Sequence, residues 1–243
     1  MLDNLVARAS IGRVTDPVAR RLVGWGLSPD AVTALGTVGS VAAALWFLPR
    51  GMLFVGAVAV TACVLCDLLD GAMARVVASN SRFGAVLDST CDRIADGALF
   101  AGLTWWCLHA GNQPHTAVAA MLSLVAGQVV SYLKARAEAS GLSACGGLVE
   151  RAERLILALL GTALEGLGVP GALGVALWLL AAGSVVTLGQ RLVAVHRSAA
   201  AQVAAGTVDR GLVGSETGGL VESEAGSPEP ERRPGADPGG EPA

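Results

Sequence analysis

Between residues 31 and 192 the chain is a succession of apolar runs, each near the length that crosses a bilayer and each ended by a short polar break. About 20 apolar residues in a helix span the hydrocarbon core. Runs of that order fall at about 31–49, 52–75, 86–108, 116–135, 150–166 and 170–192, the fifth being short. In lipid each backbone N–H and C=O must be satisfied inside a helix or a closed barrel. The runs therefore predict an all-α integral membrane fold of six transmembrane helices. Composition agrees: 53% of the 243 residues are hydrophobic and 15% are charged, against about 25% charged in soluble domains. Aromatics make up only 4%, so the apolar surface is mainly Ala, Val and Leu, and 32 glycines favour close helix packing. A disordered chain, a disulfide scaffold and an ordinary soluble enzyme are excluded. The net charge of −3 offers no basis for binding nucleic acid.

The charges divide the chain further. Residues 1–197 hold fourteen basic and twelve acidic side chains, whereas 198–243 hold three and eight. The segment 198–243 is rich in Gly, Pro, Ser and Glu and reads as a disordered acidic tail. Residues 1–27 place Leu5, Val6, Ile11, Val14, Val18, Leu22 and Val23 near helical spacing between arginines. They are expected to form an amphipathic helix on the membrane interface, ahead of a catalytic domain at 28–197. Arg8, Arg13, Arg20 and Arg21 break up the N-terminus, so no cleavable leader is expected. Arg75, Arg82, Arg93, Lys134, Arg136, Arg151, Arg154, Arg191 and Arg197 fall on the same side as those four if both termini are cytoplasmic, leaving Arg50 on the other. Cys63 and Cys66 form a CxxC, but no second pair follows at zinc spacing, and the cysteines read as small buried thiols.

One stretch carries charge where a spanning helix should not. Asp67 and Asp70 are spaced i, i+3 at the end of the second run, and Asp88 and Asp92 i, i+4 at the start of the third. On helices each pair shares a face. Gly71, Ala74 and Arg75 share the face of the first pair, and Ser79-Asn80-Ser81 lets the two helices run antiparallel. A carboxylate at the membrane centre costs about 2.5–3.5 kcal/mol, so four isolated ones would cost roughly 10–14 kcal/mol. A divalent cation removes that cost and their mutual repulsion. Oxygen-only ligands favour Mg²⁺, Mn²⁺ or Ca²⁺ over zinc, and four carboxylates suit two ions. With Arg75 for phosphate and space cleared by Gly71 and Ala74, the cluster suits a diphosphate. A structural charge network or an ion pathway is the other reading of these residues.

Asp67, Asp70, Gly71, Ala74, Arg75, Gly84, Asp88 and Asp92 match D-x2-D-G-x2-A-R-x8-G-x3-D-x3-D at every specified position. This resembles the signature of the CDP-alcohol phosphatidyltransferase family. The resemblance implies that family's six-helix membrane fold, usually dimeric and open to the cytoplasm, in which an alcohol attacks CDP-diacylglycerol and CMP leaves. It implies one metal on Asp67, Asp70 and Asp88 and a second on Asp67, Asp88 and Asp92. Asp92 would also be the general base, and the ions would be two Mg²⁺, with Mn²⁺ possible. It implies CDP-diacylglycerol contacts from Gly71, Ala74, Arg75 and Ser81, and from Asp30, Ala31, Val32 and Thr33 before the first span. Taken alone, Ser28-Pro29-Asp30 is a helix start. Gly36-Thr37-Val38-Gly39-Ser40 permits a close helix partner, in keeping with a homodimer.

The acceptor alcohol is not written in that signature. Ser131, Lys134, Arg136, Arg151, Arg154 and Arg191 gather cations on facing helices, as a doubly charged phosphate requires, although the positive-inside rule alone accounts for some of them. Arg154 is followed directly by apolar residues, so it needs a partner. Phe83–Asp88, Ser131–Gly141, Glu150–Leu155 and Thr187–Leu192 resemble the branch of the family that makes phosphatidylinositol phosphate in actinobacteria, over about residues 10–197. In that branch, residues matching Ser131, Lys134, Arg154 and Arg191 hold inositol phosphate. Ala152 departs from it, standing where proline is expected. The resemblance thus implies a cell-membrane enzyme joining CDP-diacylglycerol to 1D-myo-inositol 3-phosphate. A phosphatidylglycerophosphate synthase using glycerol 3-phosphate and, in another class, a divalent-cation transporter are the alternatives.

Overall fold

The computed structural model describes residues 16–77 and 81–204, except the side chains of Asp67, Leu68 and Asp70. Described residues are α-helical or in turns and loops, with no strand among them. The chain forms two compact units, Met1–Ala199 and Ala200–Ala243. In the first, residues 16–24 are helical (α1), followed by α2 (Pro29–Phe47), α3 (Leu53–Val76), α4 (Arg82–His109), α5 (Pro114–Ala139), α6 (Arg151–Gly166) and most of α7 (Ala172–Ala204). Of the second, the described residues are the last turn of α7, 200–204. The expected interfacial helix before residue 16 and the expected acidic tail beyond 204 lie outside the described residues.

Local chemistry starts these helices. Ser28 is extended and its Oγ accepts from the Ala31 N–H at 3.2 Å, with Pro29 in the first turn of α2. Ser81 caps α4 in the same way, accepting from the Gly84 N–H at 3.1 Å. The start of α6 is a capping box, Glu150 with Glu153, whose Oε2 accepts from the Glu150 N–H at 3.1 Å. The six predicted runs match α2 to α7 closely, but α7 continues past residue 192 to Ala204.

Packing is close because small residues face inward. α2 packs on α3 and α4, α4 on α5, and α3 on α6. A Cβ on Gly102 of α4 would lie 2.8 Å from the Ala44 carbonyl oxygen of α2, so any side chain there would push the two helices apart. α7 meets α5 through Ser123 Oγ, which donates to the Leu177 carbonyl at 3.3 Å. Ala44, Ala57, Ala119, Ala120 and Ala158 are buried, whereas Leu35, Val38, Trp46, Val125, Val175 and Leu179 are exposed. So much exposed apolar surface would be a liability in water and is what contact with lipid requires.

Four helices, α2, α3, α5 and α7, are long and apolar enough to cross a membrane, and the chain is a multi-pass membrane protein. Two of the six expected spans fall short of that measure for identifiable reasons. α4 carries Arg82, Asp88, Asp92, Arg93 and Asp96 in its first half, and α6 has 16 residues with Arg151, Glu153 and Arg154 in its first turn. The five cysteines form no disulfide among the described residues. Cys91 and Cys107 are buried as expected, Cys63 and Cys66 only half-buried, and Cys145 is exposed on the loop before α6.

Candidate active site

The helices alternate in direction, so the end of α3, the starts of α2, α4 and α6, and the end of α5 meet at one pole of the unit. Val76 and Arg82 are separated by five residues, a reach of at most roughly 20 Å. At this pole Ala72 and Met73 of α3 are fully buried with Ala19 of α1, and Val32 of α2 packs against them. Their burial turns Gly71, Ala74 and Arg75 to the opposite, more open face. A Cβ on Gly71 would meet nothing nearer than Arg75 Nη1 at 3.9 Å, so the backbone there is approachable. Arg75 is exposed, 3.9 Å from Asp16. Asp30 and Gly84 bring the starts of α2 and α4 together: a Cβ at 84 would stand 3.1 Å from Asp30 Oδ1. Ala31 and Val32 are half-buried and Thr33 is buried, its Oγ1 donating to the Pro29 carbonyl at 3.2 Å.

α4 presents Asp88, Asp92 and Asp96 on successive turns. Asp88 is exposed, the Asp92 side chain is 18% exposed and that of Asp96 only 3%. The ladder thus runs from the mouth of the site into the protein. Among the described residues no three metal-ligating side chains come together. Two of the four signature aspartates, Asp67 and Asp70, have side chains outside that set.

Beside the ladder lies a cavity of about 860 Å³ between α4, α5, α6 and α7. Ser131, Lys134, Arg154 and Arg191 all line it, and so does Asp92. Five basic side chains in its wall face three acidic ones, an excess of positive charge suited to a phosphate dianion. Arg191 is buried and stitches three segments: Nε donates to the Gly146 carbonyl at 3.0 Å, Nη1 to the Val130 carbonyl at 3.2 Å, and Nη2 lies 3.6 Å from Glu150. Ser131 accepts from Arg93 and donates to the Gly127 carbonyl. Lys134 is half exposed, 4.0 Å from Glu138. The loop before α6 is tied to α7, Leu148 N–H donating to Gln190 and Val149 N–H to Thr187.

Sequence reasoning asked for a partner to Arg154, and Asp96 is that partner, Nη2 donating to Oδ2 at 3.1 Å. The same carboxylate lies 3.5 Å from Arg151 Nε and 3.6 Å from Arg93 Nη2. Arg151 also reaches Asp92 at 2.8 Å. Asp96 and Arg93 were absent from the expected site, although Asp96 continues the i, i+4 spacing of Asp88 and Asp92 by one more turn, and Arg151 was expected only among the gathered cations. Ala152 does not prevent Arg151 and Arg154 from reaching the cavity, since the capping box sets the register of α6.

Comparison with known proteins agrees with this arrangement. The family model for CDP-alcohol phosphatidyltransferase matches residues 26–189. A phosphatidylinositol phosphate synthase of Mycobacterium marinum is 53% identical over 196 residues, covering 79% of this chain and 84% of that one. The crystal structure of the Mycobacterium tuberculosis phosphatidylinositol phosphate synthase with CDP-DAG bound is 51% identical, with a TM-score of 0.74 over 82% of this chain and 98% of that one. A second structure of that enzyme, in complex with manganese and citrate, gives a TM-score of 0.74 at 51% identity over 81% of this chain and 92% of that one. With its complete signature and this degree of likeness, the chain belongs to the CDP-alcohol phosphatidyltransferase family.

Proposed function

We propose that the protein is a phosphatidylinositol phosphate synthase, moving the phosphatidyl group of CDP-diacylglycerol to 1D-myo-inositol 3-phosphate with release of CMP. The observation that carries this reading is the cavity in which Ser131, Lys134, Arg154 and Arg191 stand beside Asp92. A phosphorylated alcohol held by those cations presents a hydroxyl to the carboxylate ladder of α4. Relatives about half identical to this chain are named for the same reaction.

The donor set at the mouth is carboxylate oxygen throughout, which fits hard divalent cations such as Mg²⁺ or Mn²⁺. Asp67, Asp70 and Asp88 would hold one ion, and Asp67, Asp88 and Asp92 a second. When bound, such a pair supplies neutralisation of the diphosphate charge. The chain's own residues do the rest. Gly71 and Ala74 let the diphosphate approach the α3 backbone, and Arg75 and Ser81 bind it. Asp30, Ala31, Val32 and Thr33 hold the cytidine side. Asp92 takes the proton of the acceptor hydroxyl, whose oxygen bonds to the phosphorus carrying the diacylglycerol as the bond to CMP breaks. Arg154, Arg191, Lys134 and Ser131 orient the acceptor.

In this reading α4 and α6 also cross the bilayer, making six spans, with both termini and the site at the cytoplasmic face of the cell membrane. The interfacial helix lies within residues 1–27, the catalytic domain spans 28–197, the acidic tail spans 198–243, and the enzyme is a homodimer.

Purified protein given CDP-diacylglycerol and Mg²⁺ is expected to release CMP with inositol phosphate and much more slowly with glycerol 3-phosphate. The reverse preference would overturn the acceptor assignment, and metal flux in liposomes without nucleotide would overturn the reaction. Asp92→Asn should lower CMP release by roughly 10²–10⁴-fold with the fold intact.

A further inference from the structure

The deepest charge in the site is one that the reaction does not touch. Asp96 is 2% exposed and lies behind the cavity wall, not in it. Three arginines that do line the cavity, Arg93, Arg151 and Arg154, all converge on its carboxylate, at 3.6, 3.5 and 3.1 Å. Asp92, which Arg151 also reaches at 2.8 Å, adds a second negative charge, so two carboxylates face three guanidiniums and one positive charge is left at the cavity.

A buried ion pair is a poor way to gain stability, because apolar residues of similar volume usually serve as well or better. It is a good way to aim a guanidinium. Arg154 is 3% exposed and donates to Asp96 from Nη2, while its buried Nε has no hydrogen-bond partner among the described residues. The opposite wall is shaped for the same group. A Cβ on Gly127 of α5 would come within 2.8 Å of Arg154 Cζ, so glycine there keeps the space that the guanidinium fills. A carboxylate on α4 and a missing side chain on α5 together leave Arg154 one orientation.

We infer that Asp96 is a positioning residue for the acceptor: from behind the wall it aims Arg154, and with it Arg151, at the phosphate of the phosphorylated alcohol. Gly127 keeps the space that this orientation needs. This rests on the acceptor site proposed above. Its direct contacts lie on the acceptor side, since among the described residues no nucleotide-side residue proposed above touches Asp96; its link to Asp92 runs through Arg151 and Arg93.

The test separates the two substrates. With wild type, Asp96→Asn, Asp96→Glu and Gly127→Ala, KM is measured for each substrate in turn, and equilibrium binding of inositol phosphate is measured without metal or CDP-diacylglycerol. Asp96→Asn and Gly127→Ala are expected to weaken acceptor binding and raise its KM by roughly tenfold to a hundredfold. The KM for CDP-diacylglycerol should move less than about twofold, and Asp96→Glu should restore part of the loss by keeping the charge. An acceptor KM within about twofold of wild type in either variant would overturn the inference, as would an equal rise for both substrates. If Asp96→Asn fails to fold, Gly127→Ala decides, because it shifts Arg154 without removing a charge. If wild type turns over glycerol 3-phosphate and not inositol phosphate, the proposed function is wrong. The same split measured with glycerol 3-phosphate then still tests Asp96.

Discussion

Asp88, Asp92 and Asp96 are chemically identical but differ in depth, and the proposed function gives them different work accordingly. The exposed Asp88 and the partly covered Asp92 are open to a cation and a hydroxyl, while among the described residues the ion-pair partners of Asp96 are arginines. Metal ligation at this cluster has a readout independent of turnover. Mg²⁺ or Mn²⁺ at about 100 times its Kd should stabilise the fold by about 2.7 kcal/mol, seen as a rise in melting temperature in detergent. Asp88→Asn should abolish most of that rise, and an unchanged response would remove Asp88 from the ligand set. Gly84 is the residue where space matters on the nucleotide side. A larger residue there would press on Asp30, so Gly84→Val is expected to raise the KM for CDP-diacylglycerol several-fold with the acceptor KM unchanged.

At the level of elements, the start of α6 links stability to the proposed acceptor site. Glu150 closes the capping box and also lies 3.6 Å from Arg191, so one residue sets both the helix start and one wall of the cavity. Glu150→Ala should cost about 0.5–1 kcal/mol through loss of the cap, measured as a lower melting temperature. The capping box of α6 was not read from the sequence, whereas the helix start at Ser28-Pro29-Asp30 was. The apolar runs and the paired aspartates were legible too, because helical periodicity places residues three or four apart on one face whatever surrounds them. The tie between the loop before α6 and α7 was not, since Leu148 and Gln190, or Val149 and Thr187, are brought together only by helix packing.

For the whole molecule, large apolar side chains lie both inside and outside: Leu48, Leu99, Phe100 and Leu177 are buried among many alanines, and Val, Leu and Trp also cover the outside. Lipid is as apolar as leucine, so hydrophobicity alone does not sort residues between interior and surface, and small residues such as Ala44 and Gly102 let the helices approach closely. The proposed six-span topology predicts that Ala110, at the end of α4, and Cys145, before α6, lie on opposite sides of the membrane. In spheroplasts a membrane-impermeant maleimide should label Ala110→Cys from outside, and Cys145 only after permeabilisation. Equal labelling of both in intact spheroplasts would overturn the topology.

By itself the sequence determined what depends on spacing along the chain: helices of membrane length, the aspartate faces, the helix start at Ser28, and the signature that marks the family. The tertiary structure decided which charges meet. Asp96 and Arg154 are 58 residues apart and lie on different helices. Their contact exists because α4 packs on α5 and the long Arg154 side chain reaches from α6 into the space that Gly127 leaves on α5. Periodicity tells which way a side chain points on its own helix. Only packing tells what stands opposite, and in a low-dielectric interior that determines whether a buried charge is a defect or part of a site.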